Sequence, residues 1–237
     1  MDNRIDQPGY IILTNPPIYD RLYEYCTPGL LRRIARTCRG AEEAVNEYLT
    51  HALSVRWTTQ LARFFPKPED VNSFRQLQAN LQFLVSGSQA LQLLGRTVYR
   101  DSDLDVYVWP DQAQPVAQWV RNRGYQFVPN EQSLHSTFER ALEDMLARRG
   151  ISSDPEDWHL DGSYDSPGIR WVFNFKKRRV GTKRSTPLSD DTNVETVQII
   201  VTRTSPLKTI LRFYSSKHAF FTLFSIEFTH LTFQPWS

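Results

Sequence analysis

Two aspartates, Asp103 and Asp105, stand one residue apart in the alternating run Asp103-Leu104-Asp105-Val106-Tyr107-Val108-Trp109. In a strand, this pattern sends Asp103, Asp105 and Tyr107 to one face and Leu104, Val106 and Val108 to the other. Carboxylates about 7 Å apart along one strand face suit shared oxygen ligation of a hard divalent cation, Mg2+ or Mn2+. Upstream, Val85-Ser86-Gly87-Ser88 places a Gly-Ser turn between an apolar, strand-like run at 81–85 and a helical stretch at 89–94. Glycine lets a backbone approach a phosphate closely, and a helix N-terminus favours anions. Gly87 and Ser88 are therefore candidates to cradle a triphosphate while Asp103 and Asp105 hold metal against it. Two metals held this way stabilise the attacking and leaving oxygens of an in-line phosphoryl displacement.

The order of these pieces is a hydrophobic residue, Gly-Ser, a spacer, and then Asp, hydrophobic, Asp, hydrophobic. It resembles the signature of the nucleotidyltransferase superfamily, which includes polymerase β, the CCA-adding enzymes, the antibiotic nucleotidyltransferases and small adenylyl-transfer toxins. The spacer, residues 89–102, is slightly longer than usual, and an extended connection at 96–101 absorbs the difference. The resemblance implies a polymerase β-like fold and metal-dependent transfer of a nucleotidyl group from an NTP to an acceptor. Asp103 and Asp105 would be the catalytic metal ligands, with Gly87 and Ser88 at the phosphates. The family usually adds a third carboxylate on a later strand. The matching run here is Glu195-Thr196-Val197-Gln198-Ile199-Ile200-Val201, whose central polar residue is Gln198; Glu195, three positions earlier, faces the other way in a regular strand. Two readings stay open: an active nucleotidyltransferase, or an inactive nucleotidyltransferase-like binding or adaptor protein. Arg96, Lys176 and Lys177 are candidates to neutralise phosphates, and Tyr107 is a candidate pocket wall.

A wider resemblance runs through Ser86-Gly87-Ser88-Gln89-Ala90-Leu91, Arg96-Thr97-Val98-Tyr99, the aspartate run, Val197 to Val201, and Ser205-Pro206-Leu207 with Ile210 and Phe213. These stretches look like a group of fungal proteins whose helical N-termini often resemble an F-box. Here Pro17-Ile18-Tyr19-Asp20-Arg21-Leu22, Leu30-Leu31-Arg32-Arg33-Ile34 and Thr37-Cys38-Arg39 carry that pattern. It implies docking to a Skp1-type adaptor through residues 17–50; the competing reading is plain helical packing.

Periodicity supplies the elements that must position these residues. Residues 1–16 read as a polar, turn-rich segment. Helices follow near 18–25 and from the Thr27-Pro28 cap, the latter carrying Leu30, Leu31, Ile34, Ala35 and Cys38 on one face with a break at Gly40. A third helical stretch at 58–65 stops at Pro66 and Pro68. Strands are expected at 81–85, 103–109, 125–128, 168–175 and 194–202, and helices at 89–94, 112–123, 134–149 and 206–213. The expected class is α+β: a nucleotidyltransferase-like mixed sheet flanked by helices (74–216), preceded by a helical, F-box-like module (17–73). Residues 217–237, with Phe220, Phe221, Phe224, Phe228, Phe233 and Trp236, read either as a divergent last strand and helix or as a truncated end.

Bulk properties bound the rest. With 40% hydrophobic and 23% charged residues the chain reads as globular, and a net charge of +2 is too small to argue for nucleic acid or a membrane. The two cysteines, Cys26 and Cys38, read as reduced core thiols. Residues 1–7 lack an apolar signal region, and no run of about 18 apolar residues suggests a membrane span. An intracellular protein, cytoplasmic or nuclear, is expected. The cluster Lys176-Lys177-Arg178-Arg179 with Lys183-Arg184 reads as a nuclear-localisation patch, a phosphate-binding edge or a solvated loop. The histidines lack partners at zinc-ligand spacing.

Overall fold

The computed structural model describes residues 8–129, 135–147, 168–179 and 194–212; the expectations for 217–237 and for Lys183-Arg184 lie outside them. The chain divides into two compact units, residues 1–59 with 93–95, and residues 60–92 with 96–237. Among the described residues no helix is long and apolar enough to cross a membrane.

The first unit is helical: α1 (Pro8–Thr14), α2 (Pro16–Glu24), α3 (Pro28–Ala35) and most of α4 (Arg39–Phe64). A proline opens each of the first three, where a missing N–H is harmless. The Thr27 hydroxyl accepts from the Leu30 amide at 3.2 Å, the cap expected from Thr27-Pro28. Tyr19, Tyr23, Leu31, Val45 and Tyr48 form the core. The Tyr19 and Tyr23 rings stack at 5.2 Å, and Tyr48 meets Tyr23 edge-on at 5.5 Å. Both buried hydroxyls are satisfied: Tyr19 donates to Glu47 and Tyr23 to the Leu13 carbonyl, each at 2.8 Å. The helix break falls at 36–38 instead of at Gly40, which lies inside α4. That glycine serves packing, since a Cβ there would stand 2.7 Å from the Tyr10 hydroxyl. The stretch at 58–65 continues α4, and α1 occupies what read as a turn-rich segment. Cys26 and Cys38 carry free thiols.

The second unit begins in the last turn of α4. It continues through α5 (Pro68–Leu81), β1 (Leu84–Ser86), α6 (Gly87–Gly95), β2 (Leu104–Val108), α7 (Ala113–Arg121), β3 (Gln126–Val128), α8 (Phe138–Ala147), β4 (Ile169–Arg178), β5 (Val194–Thr202) and α9 (Pro206–Leu211). Helix α5 has no counterpart in the sequence reading. Pro68 starts it, with Glu69 and Asp70 in its first turn, and it consumes Leu81 so that β1 begins later than expected.

The five strands form one mixed sheet in the order β1-β2-β5-β4-β3, with β2 and β5 parallel and every other neighbouring pair antiparallel. The chain is thus α+β, as the alternation of elements predicts. One sheet face is mainly apolar: Leu104, Val106, Val108, Phe173, Phe175, Val197, Ile199 and Val201 are buried there, with Phe127 and the α8 residue Phe138 packed against Phe173 and Phe175, and only its end carries the charged pair of positions Lys177 and Glu195. The other face is split. Towards one end Leu84, Tyr107, Val172 and Ile200 are sealed by Ile210 and Leu207 of α9. Towards the other end lies a polar half, which holds Asp103 and Asp105, whereas Tyr107 on the same face falls in the apolar end.

Candidate cation and phosphate site

Strand register builds this polar half. Ser86 faces Asp105 across β1 and β2, Asp105 faces Gln198 across β2 and β5, and Gln198 faces Asn174 across β5 and β4. Residues opposite one another in a ladder project to the same side. Ser86, Asp105, Gln198 and Asn174 therefore form one row across four strands, in steps of about 4.8 Å. Alternation places Asp103, Thr196, Lys176 and Arg178 on the same side, with Lys176 directly opposite Thr196.

Asp105 meets the start of α6 closely. Gly87 has φ +70°, and a Cβ there would be driven into Asp105 Oδ2 and would stand 3.0 Å from Asp105 Cγ. Glycine is required twice over, by its backbone and by the carboxylate lying on its Cα. Ser86, next to it, is only 1% exposed, and its hydroxyl has no hydrogen-bond partner among the described residues although serine at a helix N-cap commonly bonds to the first turn.

The electrostatics follow from this packing. Asp105 is half-buried, and among the described residues no hydrogen-bond donor reaches its carboxylate. Burial, aided by repulsion from Asp103, pushes its pKa from 3.8 up to about 7. A carboxylate that loses water without gaining a donor is short of positive charge, which a bound cation would supply. The donor set of two carboxylate groups on one sheet face suits a hard divalent ion such as Mg2+ or Mn2+. Among the described residues no group of three or more His, Cys, Asp or Glu gathers into a larger ligand set.

The remaining sequence candidates separate. Ser88 directs its hydroxyl to the Asp103 carbonyl at 3.5 Å and so ties the first turn of α6 to the start of β2. Lys176 shares the site face, whereas Lys177 points to the opposite face, 5.5 Å over the Tyr125 ring, where burial lowers its pKa. Residues 176–178 extend β4 and do not begin a loop. Tyr107 is buried in the apolar half beneath α9, and burial together with nearby Asp105 raises its pKa. Arg96 closes α6 in the left-handed region at φ 53°. Glu195 lies on the far face, as strand parity predicts, with Arg63 at 2.8 Å and Arg179 at 2.9 Å. Sequence reasoning missed Ser86 and Asn174. The signal for the latter was present: it is the polar residue between Phe173 and Phe175 in a strand-like run.

Comparison with known protein families, with curated proteins and with solved structures finds no match in any of the three.

Proposed function

We propose that the polar half of the sheet binds a divalent cation, Mg2+ or Mn2+, through Asp103 and Asp105 together with the phosphates of an NTP, and that the protein is a nucleotidyltransferase-fold enzyme passing a nucleotidyl group to an acceptor. The observation that carries this reading is the half-buried Asp105 carboxylate, packed on Gly87 beside Asp103 and reached by no hydrogen-bond donor among the described residues. Such a group is unfavourable in a bare sheet and useful at a cation site. The cation, when bound, would neutralise phosphate charge and polarise the phosphoryl group. Gly87 and the first amides of α6, which have no partner within the helix and no Ser86 side-chain cap, supply a surface for phosphate oxygens, and Lys176 adds positive charge on the same face.

A second reading, a nucleotidyltransferase-like binding protein without turnover, is favoured by Gln198. It stands beside Asp105 where a further carboxylate would strengthen metal binding, and it brings a neutral amide. An F-box-like adaptor role for residues 17–50 belongs with this reading. It draws support from the exposed apolar side chains Ile18, Leu22, Tyr25 and Leu30 along α2 and α3.

Thermal unfolding with Mn2+ or Mg2+ and each NTP, in wild type and in Asp103→Asn/Asp105→Asn, tests the common core of both readings. Ligand at a hundredfold its Kd stabilises by about 2.7 kcal/mol, and the double variant should lose that gain. A folded wild type indifferent to millimolar metal and nucleotide refutes the site. Binding without release of pyrophosphate across a panel of acceptors favours the second reading.

A further inference from the structure

Glu195 has a partner for each of its carboxylate oxygens. Its side chain is 9% exposed, with Arg63 Nε 2.8 Å from Oε2 and Arg179 Nε 2.9 Å from Oε1. Both Nη atoms of Arg63 and Nη2 of Arg179 reach one short stretch, residues 99–102. Arg63 Nη1 donates to the Tyr99 carbonyl at 3.0 Å, Arg63 Nη2 donates to the Ser102 carbonyl at 2.5 Å, and Arg179 Nη2 donates to the Arg100 carbonyl at 3.0 Å. From α6, Gln89 and Gln92 donate to the Ser102 hydroxyl at 2.7 and 2.8 Å, and Gln92 accepts from the Tyr99 amide at 2.7 Å. The carbonyls of Tyr99, Arg100 and Ser102 are therefore all held by arginines that share one carboxylate.

From this geometry we infer that Glu195, Arg63 and Arg179 are positioning residues that aim the Asp103 carboxylate at the cation; the inference rests on the cation reading proposed above. The backbone supplies the argument. The direction of the Asp103 side chain is set by the peptide planes on either side of its Cα. Arg63 holds the plane before it through the Ser102 carbonyl, and Ser88 reaches the plane after it through the Asp103 carbonyl. Arginine suits this task because its rigid fork takes a carboxylate and backbone carbonyls at once. An ion triad built around a buried carboxylate is poor evidence of stability, since apolar replacements often fold as well; its best-attested use is to fix one geometry. Here that geometry belongs to the turn leading into the first aspartate, and Glu195, the acid nearest in sequence to the missing third ligand, acts through the arginines and touches no cation.

The test combines Mn2+ affinity, read by electron paramagnetic resonance of free Mn2+, with amide hydrogen exchange resolved to residues 96–104. The variants are Glu195→Gln and Arg179→Gln in the full chain, each first checked for cooperative unfolding, with Glu195→Asp as the conservative rescue. Arg179→Gln keeps the proposal testable if Glu195→Gln fails to fold. A tenfold or larger loss of Mn2+ affinity, with at least tenfold faster exchange at residues 99–103, unchanged exchange in β3 and partial recovery in Glu195→Asp, is the expected result. Affinity within twofold of wild type in the folded variants overturns the clamp while leaving the cation site standing. A wild type that binds no Mn2+ at millimolar concentration overturns the cation reading itself, and the clamp's purpose with it.

Discussion

Asparagine in place of Asp105 should make the cation-free protein more stable at pH 8, by an amount that disappears at low pH. The fold raises this carboxyl from 3.8 to about 7, because burial and Asp103 both oppose the charged form. The sign follows from linkage: an acid raised by folding favours the folded state only while protonated. Its contribution is complete below about 3.8 and drains away as the pH climbs to about 7. At about 1.4 kcal/mol per pH unit, the loss is at most about 4 kcal/mol by pH 8, and partial exposure to water brings it nearer to 2–4 kcal/mol. Asparagine keeps the shape, carries no charge and relieves Asp103 of its neighbour. Urea unfolding of both proteins in EDTA at pH 4.5, 6 and 8 should show a gap in favour of Asp105→Asn that is smallest at pH 4.5, about 1 kcal/mol or less, and widens as the pH rises. Adding Mn2+ at a hundredfold the wild-type Kd should return about 2.7 kcal/mol to wild type and nothing to the variant. A variant less stable than wild type at pH 8, or a gap that ignores pH, would show that Asp105 is satisfied in the free protein and would remove the main support for a cation there.

Three further outcomes are expected. Gly87→Ala should destabilise by more than 3 kcal/mol in chemical denaturation, combining a left-handed alanine, about 1–2 kcal/mol, with the collision against the Asp105 carboxylate. In an Asp105→Ala background only the backbone part should remain, since Asp105 Cβ sits at an ordinary 3.5 Å; additive costs in the double-mutant cycle argue against the close approach. Tyr125→Phe, which removes a buried hydroxyl donating to the Phe64 carbonyl at 3.0 Å, should cost about 1–2 kcal/mol at every pH from 5 to 8, as urea midpoints will report. Lys176→Met should weaken NTP binding in the presence of Mn2+ about fivefold or more in calorimetry, whereas Lys177→Met, on the opposite face, should leave it within twofold; equal effects would refute the assignment of faces.

Local alternation made the centre of the sheet legible. The run 103–109 reports its two faces directly, and 194–202 coincides with β5 because its apolar residues are buried on both faces and bounded by polar residues. The strand-to-helix junction at Gly87 was readable because a glycine between a strand and a helix has few other reasons to be there, although Gly87 and Ser88 open α6 itself instead of forming a separate turn before it. Helix α5 was not, for two reasons. Two prolines mask its start unless one of them is recognised as occupying the first helical position, and Gln82 ends it in the left-handed region, where glycine is the usual residue. The site proved harder than the fold. A local window marks Asn174 as the polar residue of a strand-like run, but bringing it to this site required knowing that β4 lies beside β5 and in which register, a long-range fact.

Glu195 and Gln198 show where sequence logic for a site gains and where it stops. The resemblance to the family's later strand points to Gln198 beside the aspartates and parity turns Glu195 away, and the ladder agrees on both counts. What parity cannot supply is the occupation of the rejected acid. Arg63 lies 132 residues from Glu195 in the chain and Arg179 lies 16 from it, and both converge on the turn before Asp103. An acid excluded from the cation face thus acts on that face through backbone carbonyls. Moving a carboxylate to position 198 tests the separation of roles. Gln198→Glu should tighten Mn2+ binding while leaving exchange at residues 99–103 untouched, because it adds a ligand without altering the clamp. Slower or faster exchange in that variant would mean that the two faces of β5 are coupled, and that Glu195 and position 198 act as a single unit.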